Sequence, residues 1–365
     1  MILLLISCSK PVVVPPKSTL ETSPATETET VVPPQKPFVL PRGHASNPVW
    51  SKDGRKIAFE INDYAEKIDL FVAEWSDDKL QNHRHLTASV SSSTFSESDG
   101  IAYNPVWHPS GSVVFESRNQ NTYNRLLWDS LDPRPPRGLI KVSVLQQNIS
   151  HTSLSPDGES VLFVSDTTGN GDIYRWILRE QKLESIILSE EPELFPQESV
   201  SGSIAYTRKI DGGEDIFVHN GKESVVWAAG NGDQTRPVWA GETLLFFSNE
   251  RDHAEWDLLA ATAPQEITTI ATHVRLPIRS KPAISHDSQW VVYGLEGPEQ
   301  STQIWLTKLD GSQTLEITTD HTACGEPSIV ERDGKILLAY TALPNAGSSW
   351  RKLYWTDITE SIRKP

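Results

Sequence analysis

The chain has 365 residues, enough for two ordinary domains or for one large all-β domain, so length alone does not fix the domain count. Its 33 Lys and Arg stand against 48 Asp and Glu, and the net charge of -15 repels phosphate backbones, which excludes nucleic acid as an expected partner. Twelve Trp, 21 Gly and 25 Pro beside a single Met describe a turn-rich β protein and not a helical bundle.

Residues 1–8 come first. The apolar run from Met1 to Ile6 leads into Leu5-Ile6-Ser7-Cys8, which resembles the lipobox of bacterial lipoproteins. That resemblance implies lipidation at Cys8 and, with Ser9 in place of Asp next to it, export to the outer membrane. The run is far shorter than the roughly 20 apolar residues that span a bilayer. It also lacks the basic residues of a signal-peptide start, as expected if the start codon lies upstream of Met1. Residues 9–37 are rich in Pro, Thr, Val and Glu and bury too little surface to offset chain entropy, so a disordered tether is expected. Cys324 is then a lone thiol.

From residue 38 to 365 one unit recurs. Asn47-Pro48-Val49-Trp50-Ser51-Lys52-Asp53-Gly54 and Asn104-Pro105-Val106-Trp107-His108-Pro109-Ser110-Gly111 are near copies, and His151-Thr152-Ser153-Leu154-Ser155-Pro156-Asp157-Gly158 is a third. Weaker copies begin at Phe195-Pro196, Arg236-Pro237, Lys281-Pro282 and Glu326-Pro327, giving seven units of about 45 residues. Each unit runs through a first strand, a Ser-Pro-Asp-Gly type of turn, an apolar second strand such as Lys56-Ile57-Ala58-Phe59, and a polar loop. A third strand such as Asp172-Ile173-Tyr174 and a more polar fourth strand close the unit. Four antiparallel strands in 45 residues make one propeller blade. The fold expected is all-β, a seven-bladed β-propeller of four-stranded antiparallel blades, with six blades as the alternative. Phe38-Val39-Leu40 or Ser361-Ile362-Arg363 is expected to supply the strand that closes the ring.

The repeat resembles that of TolB-like propellers, P-x-W-S-P-D-G followed by I-A-F-x-S and D-I-Y, over residues 44 to 358. The resemblance implies a non-catalytic, monomeric envelope protein that binds a protein or peptide segment at the channel mouth, without a cofactor. Candidate binding residues near first strands or in second-to-third loops are His44, Tyr103, His151, Arg236, Arg251, Arg275, Arg279, His321 and Glu326. The Asp before each third strand (Asp69, Asp172, Asp215, Asp257) is expected to accept backbone N–H groups. Asp166 to Asp172 carries spaced oxygen ligands but lacks the closing Glu of a calcium loop.

No G-x-S-x-G elbow exists for a hydrolase. The enzyme alternative is a metal-dependent polysaccharide lyase of the oligogalacturonate lyase type, whose metal would need His44, His151, His273 and His321 to converge. A third alternative, glycan or peptidoglycan binding, would use exposed Trp75, Trp256 or Trp350.

Overall fold

The computed structural model describes residues 29–30, 36–37, 43–62, 67–86, 100–119, 124–132, 136–141, 145, 148–277, 281–297, 301–319, 321–345 and 347–363. The strands form five separate four-stranded antiparallel sheets and one nine-stranded sheet. The nine-stranded sheet resolves into two blades joined by one bridge, Val274 to Leu295, with Glu29–Thr30 added in parallel beside Thr314–Glu316. Seven blades result. Their first strands are His44–Trp50, Gly100–Trp107, Ile149–Leu154, Glu193–Glu198, Gln234–Ala240, Ala283–Ile284 and Thr322–Arg332.

Seven buried apolar clusters hold these sheets together, one at each junction between neighbours, and the last junction joins blade seven to blade one. Strand alternation explains the partition. Ile57, Phe59 and Ile61 face blade seven, whereas Ala58 between them packs against Phe115 and Trp107 of blade two. A second strand covered on both sides needs apolar residues on both faces, and Ser160–Ser165, apolar from Val161 to Val164, is buried at all six positions. At the closing junction Trp75 meets Trp355 edge-on, ring centroids 4.2 Å apart, and meets Trp50 at 6.1 Å.

The repeat tryptophans stitch one blade to the next. Trp107 Nε1 donates to the Val49 carbonyl at 2.8 Å, and Trp239 Nε1 donates to the Gln197 carbonyl at 3.2 Å. Val49 and Gln197 each follow the repeat proline, so the two bonds are copies of one device.

The Ser-x-Asp-Gly turns behave as their residues dictate. Ser51 Oγ donates to Asp53 at 2.7 Å and accepts from Lys56 N, while Gly54 takes φ 64° and its N–H reaches Ser51 O. Ser155 and Ser285 repeat the arrangement. Blade four builds a similar loop from Ser199 to Ser203, with Gly202 at φ 86°. Blade five, the other departure from the consensus, instead pairs Ala240 with Thr243 across a two-residue turn whose Gly241 sits at φ 60°.

Blade seven gains its outer strand from the N-terminal side of the chain, and Ser361-Ile362-Arg363 does not supply it. Lys36–Pro37 pairs antiparallel with Lys352–Asp357 as the outer strand of blade seven, so the sheet reaches back into the stretch expected as tether. Phe38-Val39-Leu40 lies outside the described residues, and Thr359–Arg363 forms a short helix. Cys8 and the lipobox also lie outside them. Among the described residues no helix is long and apolar enough to cross a membrane.

Candidate functional site

Six of the seven first strands break register at the repeat position that carries proline in every blade but the third, where Thr152 stands. The shifts fall between Ser46 and Val49, Tyr103 and Val106, Ser150 and Ser153, Leu194 and Gln197, Thr235 and Val238, and Gly325 and Ser328. The residue in each bulge lies in the left-handed region: Asn47 at φ 45°, Asn104 at 53°, His151 at 54°, Phe195 at 54°, Arg236 at 55° and Glu326 at 54°. A non-glycine residue held there costs on the order of 1 kcal/mol, so six at one repeat position are a property of the repeat and not an accident. Lys281, before Pro282, holds the same place in blade six.

These bulges form a waist in the central channel. Above it a cavity of about 330 Å³ is lined by Ile68, Ile101, Tyr103, Arg118, His151 and Phe195. Below it a cavity of about 380 Å³ runs along Pro48 to Trp50, Pro105, Leu154 and Pro327 to Ile329. Asn104, Thr152 and Lys281 border both. The upper cavity gathers the beginnings of first and third strands and the end of a second strand, so it lies on the face of the second-to-third loops.

One side of the waist is acid and amide. Glu60 Oε1 accepts from Asn47 Nδ2 at 2.9 Å and from Asn104 N at 2.8 Å. One blade on, Glu116 Oε1 accepts from Asn104 Nδ2 at 2.6 Å and from Thr152 N at 3.0 Å. Both glutamates are 1% exposed, and burial raises the Glu116 carboxyl despite these donors, with Glu60 adding repulsion.

The other side is cationic. Arg236 donates to the Pro277 carbonyl and lies over the Phe195 ring, 5.4 Å from its centroid. His151 meets the same ring edge-on at 4.2 Å. Burial, with Lys281, Arg236 and Lys209 adding to it, pushes His151 down to about 3, so its imidazole is neutral. Lys281 is lowered to about 8, mainly by desolvation and against the pull of Glu116. Glu326, 3% exposed, sits in the field of Arg236 and Arg351, and a small pocket lined by Arg275, Lys281, Glu326 and Arg351 opens beside it.

Of the residues singled out in the sequence, Tyr103, His151, Arg236, Arg275 and Glu326 meet at the waist or its side pocket. Tyr103 Oη accepts from Asn124 Nδ2 at 2.8 Å, and Arg275 donates to Glu296 at 2.9 Å. His44 and His321 flank blade seven: His44 Nδ1 accepts from Arg351 N at 3.2 Å, and His321 packs on Tyr354 with centroids 4.0 Å apart. Arg251 lies apart from these cavities, with both Asp257 oxygens taking its guanidinium at 2.9 Å. Arg279 lies outside the described residues. Lys281, Asn104, Glu60, Glu116 and Arg351 were missed. The signal for the first two was the residue before each repeat proline, which the repeat itself marks.

The aspartates before third strands take backbone donors at three sites: Asp172 from Ser189 N at 2.9 Å, Asp257 from His273 N at 3.2 Å, and Asp215 from Gly230. Asp69 pairs with His85 and Lys67 instead. Asp166 of the oxygen-rich loop is taken up by Asn148 N and Nδ2, both at 2.9 Å. Among the described residues no three of His, Cys, Asp and Glu come together as a metal would require. His273 pairs with Glu255 at 2.9 Å. Trp75 is buried, so the glycan surface expected there does not exist, and Trp256 packs on the core between blades five and six.

Solved structures align with this architecture. An oligogalacturonate lyase in complex with manganese matches at TM-score 0.63 and 11% identity, covering 92% of this chain and 100% of the other. The β-propeller domain of the Trilobed protease from Pyrococcus furiosus matches at TM-score 0.58 and 13% identity, over 87% and 96%. The chain is a β-propeller.

The propeller also aligns with TolB from Acinetobacter baumannii, at 15% identity and TM-score 0.46 over 78% of this chain, but spans only 57% of that protein. It likewise spans 50% of a puromycin-hydrolyzing peptidase from Mycobacterium tuberculosis, at 13% identity, TM-score 0.59 and 82% of this chain. No family model matches the chain, and no curated protein does. At such identities the likeness is one of fold.

Proposed function

We propose that this propeller is a non-catalytic binding scaffold of the cell envelope, lipid-anchored at Cys8 on the periplasmic side of the outer membrane, whose channel mouth takes a protein or peptide segment. The observation that carries the reading is the upper cavity. It is large enough for a side chain or two, apolar along Ile68, Ile101 and Phe195, and polar at its floor, which is the composition of a recognition pocket.

The lyase reading draws on the propeller likeness and on the same cations, which suit an acidic sugar. It has no convergent histidine set among the described residues.

A photocrosslinking residue at Arg118, exposed on the mouth, tests the proposal against one at Glu266, exposed on the outer strand of blade five. Adducts with one defined envelope protein from position 118 alone support it. Equal labelling from both positions counts against it. Turnover of oligogalacturonate by the purified protein with added divalent metal would replace it with the lyase reading. Radiolabelled fatty acid incorporated by the wild type and lost in Cys8→Ser tests the anchor.

A further inference from the structure

We infer that the channel mouth is a receptor for a carboxylate joined to an apolar group, the carboxylate seated on Lys281 and the apolar part against Phe195, Ile68 and Ile101. This rests on the binding reading above and names the chemistry of the ligand.

Among the described residues Lys281 alone borders the upper cavity, the lower cavity and the side pocket. Its ammonium has no hydrogen bond or ion pair among the described residues. Of the cations near it, Arg236 is held by the Pro277 carbonyl and the Phe195 ring and Arg275 by Glu296, Arg351 lies in the field of Glu326 in the side pocket, and Arg118 stands exposed at the rim of the upper cavity. Glu116, the acid whose field Lys281 feels, already accepts from Asn104 and Thr152. A partly buried amine facing open volume is therefore left to an incoming anion. Desolvation depresses it toward about 8, so a carboxylate that restores its charge is favoured in a site where water screens little.

The surroundings set the class of anion. A single amine at the floor of the cavity matches one negative charge, whereas Glu116 and Glu326 bordering it would repel a phosphate dianion. The upper cavity, about 330 Å³, admits an apolar side chain beside the charge.

Such a carboxylate is either the free C-terminus of a peptide or an Asp or Glu side chain, and one experiment separates the two. Calorimetric titration of the full chain uses N-acetyl-Phe-Leu as the free acid and as the C-terminal amide, and N-acetyl-Phe-Glu-amide beside N-acetyl-Phe-Gln-amide. One acid is expected to bind at least tenfold more tightly than its neutral counterpart, and which acid does so names the source. Lys281→Met should erase that preference and Lys281→Arg should retain it, with thermal unfolding confirming that both variants fold. Equal binding of acid and neutral peptides by the wild type overturns the inference while leaving peptide binding intact, and needs no variant. A preference that survives in folded Lys281→Met also overturns it. Failure of all four peptides rejects it too, and the crosslinking test then judges the scaffold reading separately.

Discussion

The side-chain amide of Asn104 donates to Glu116 Oε1 at 2.6 Å, joining the left-handed bulge of blade two to its second strand. The carboxyl it serves is 1% exposed and raised by burial, so the folded state holds that proton more tightly than the unfolded chain. For a raised carboxyl the contribution to stability is fully present below the unfolded value and is lost as pH rises through the folded one. Glu116→Gln keeps an acceptor for Asn104 and Thr152 and removes the titration. Urea unfolding from pH 4 to 7 should show the wild type losing stability relative to Glu116→Gln as pH rises. Parallel curves would mean that Glu116 does not titrate differently in the two states.

Lys281 follows the opposite sign. Its value, lowered to about 8, lies below that of a free lysine, so between about pH 8 and the ordinary lysine range the unfolded chain holds the proton and the folded one does not. Stability from this group therefore rises with pH through that window. The groups that set its charge are Glu116, which favours the cation, and Arg236, which opposes it. Lys281→Met should be more stable than the wild type at pH 7 and converge toward it by pH 10, read as thermal midpoints. Carboxylate binding should weaken above pH 8 in titrations of the wild type.

Trp107 and Trp50 fill the same repeat position with different outcomes for the indole N–H. Trp107 Nε1 donates to Val49 O, whereas Trp50 Nε1 is buried with no hydrogen-bond partner among the described residues. Replacement of each by Phe removes similar ring volume, so the difference between the two variants reports the hydrogen bond. Trp107→Phe should cost about 1–2 kcal/mol more than Trp50→Phe in denaturant unfolding. Equal costs would show that the bond adds nothing net.

Closure by Lys36–Pro37 can be tested by truncation. A chain beginning at residue 31 retains the strand that pairs with Lys352–Asp357, and one beginning at residue 43 leaves that edge open. The shorter chain should melt at a lower temperature and self-associate in light scattering, because an unpaired edge recruits other strands. Identical behaviour would show that blade seven closes without it.

Cys324 is fully buried, and its thiol is pushed up to about 11 chiefly by desolvation. A thiol reagent at pH 8 should therefore label it only at the rate of unfolding.

The sequence by itself determined the blades. Runs such as Ser160 to Ser165 must lie between two neighbours because they are apolar on both faces, and Ser51-Lys52-Asp53-Gly54 builds its turn from contacts within five residues. Such signals are local and repeat, so they are legible in a single chain. The closing strand and the waist were decided by tertiary structure alone. Lys36–Pro37 is two residues of polar, proline-containing chain, and only the open edge of Lys352–Asp357, more than 300 residues away, makes it a strand. Lys281 reads as one more residue before a repeat proline. Its charge matters because blades two, five and seven bring Asn104, Glu116, Arg236 and Glu326 around it, and desolvation there belongs to the ring, not to any single repeat.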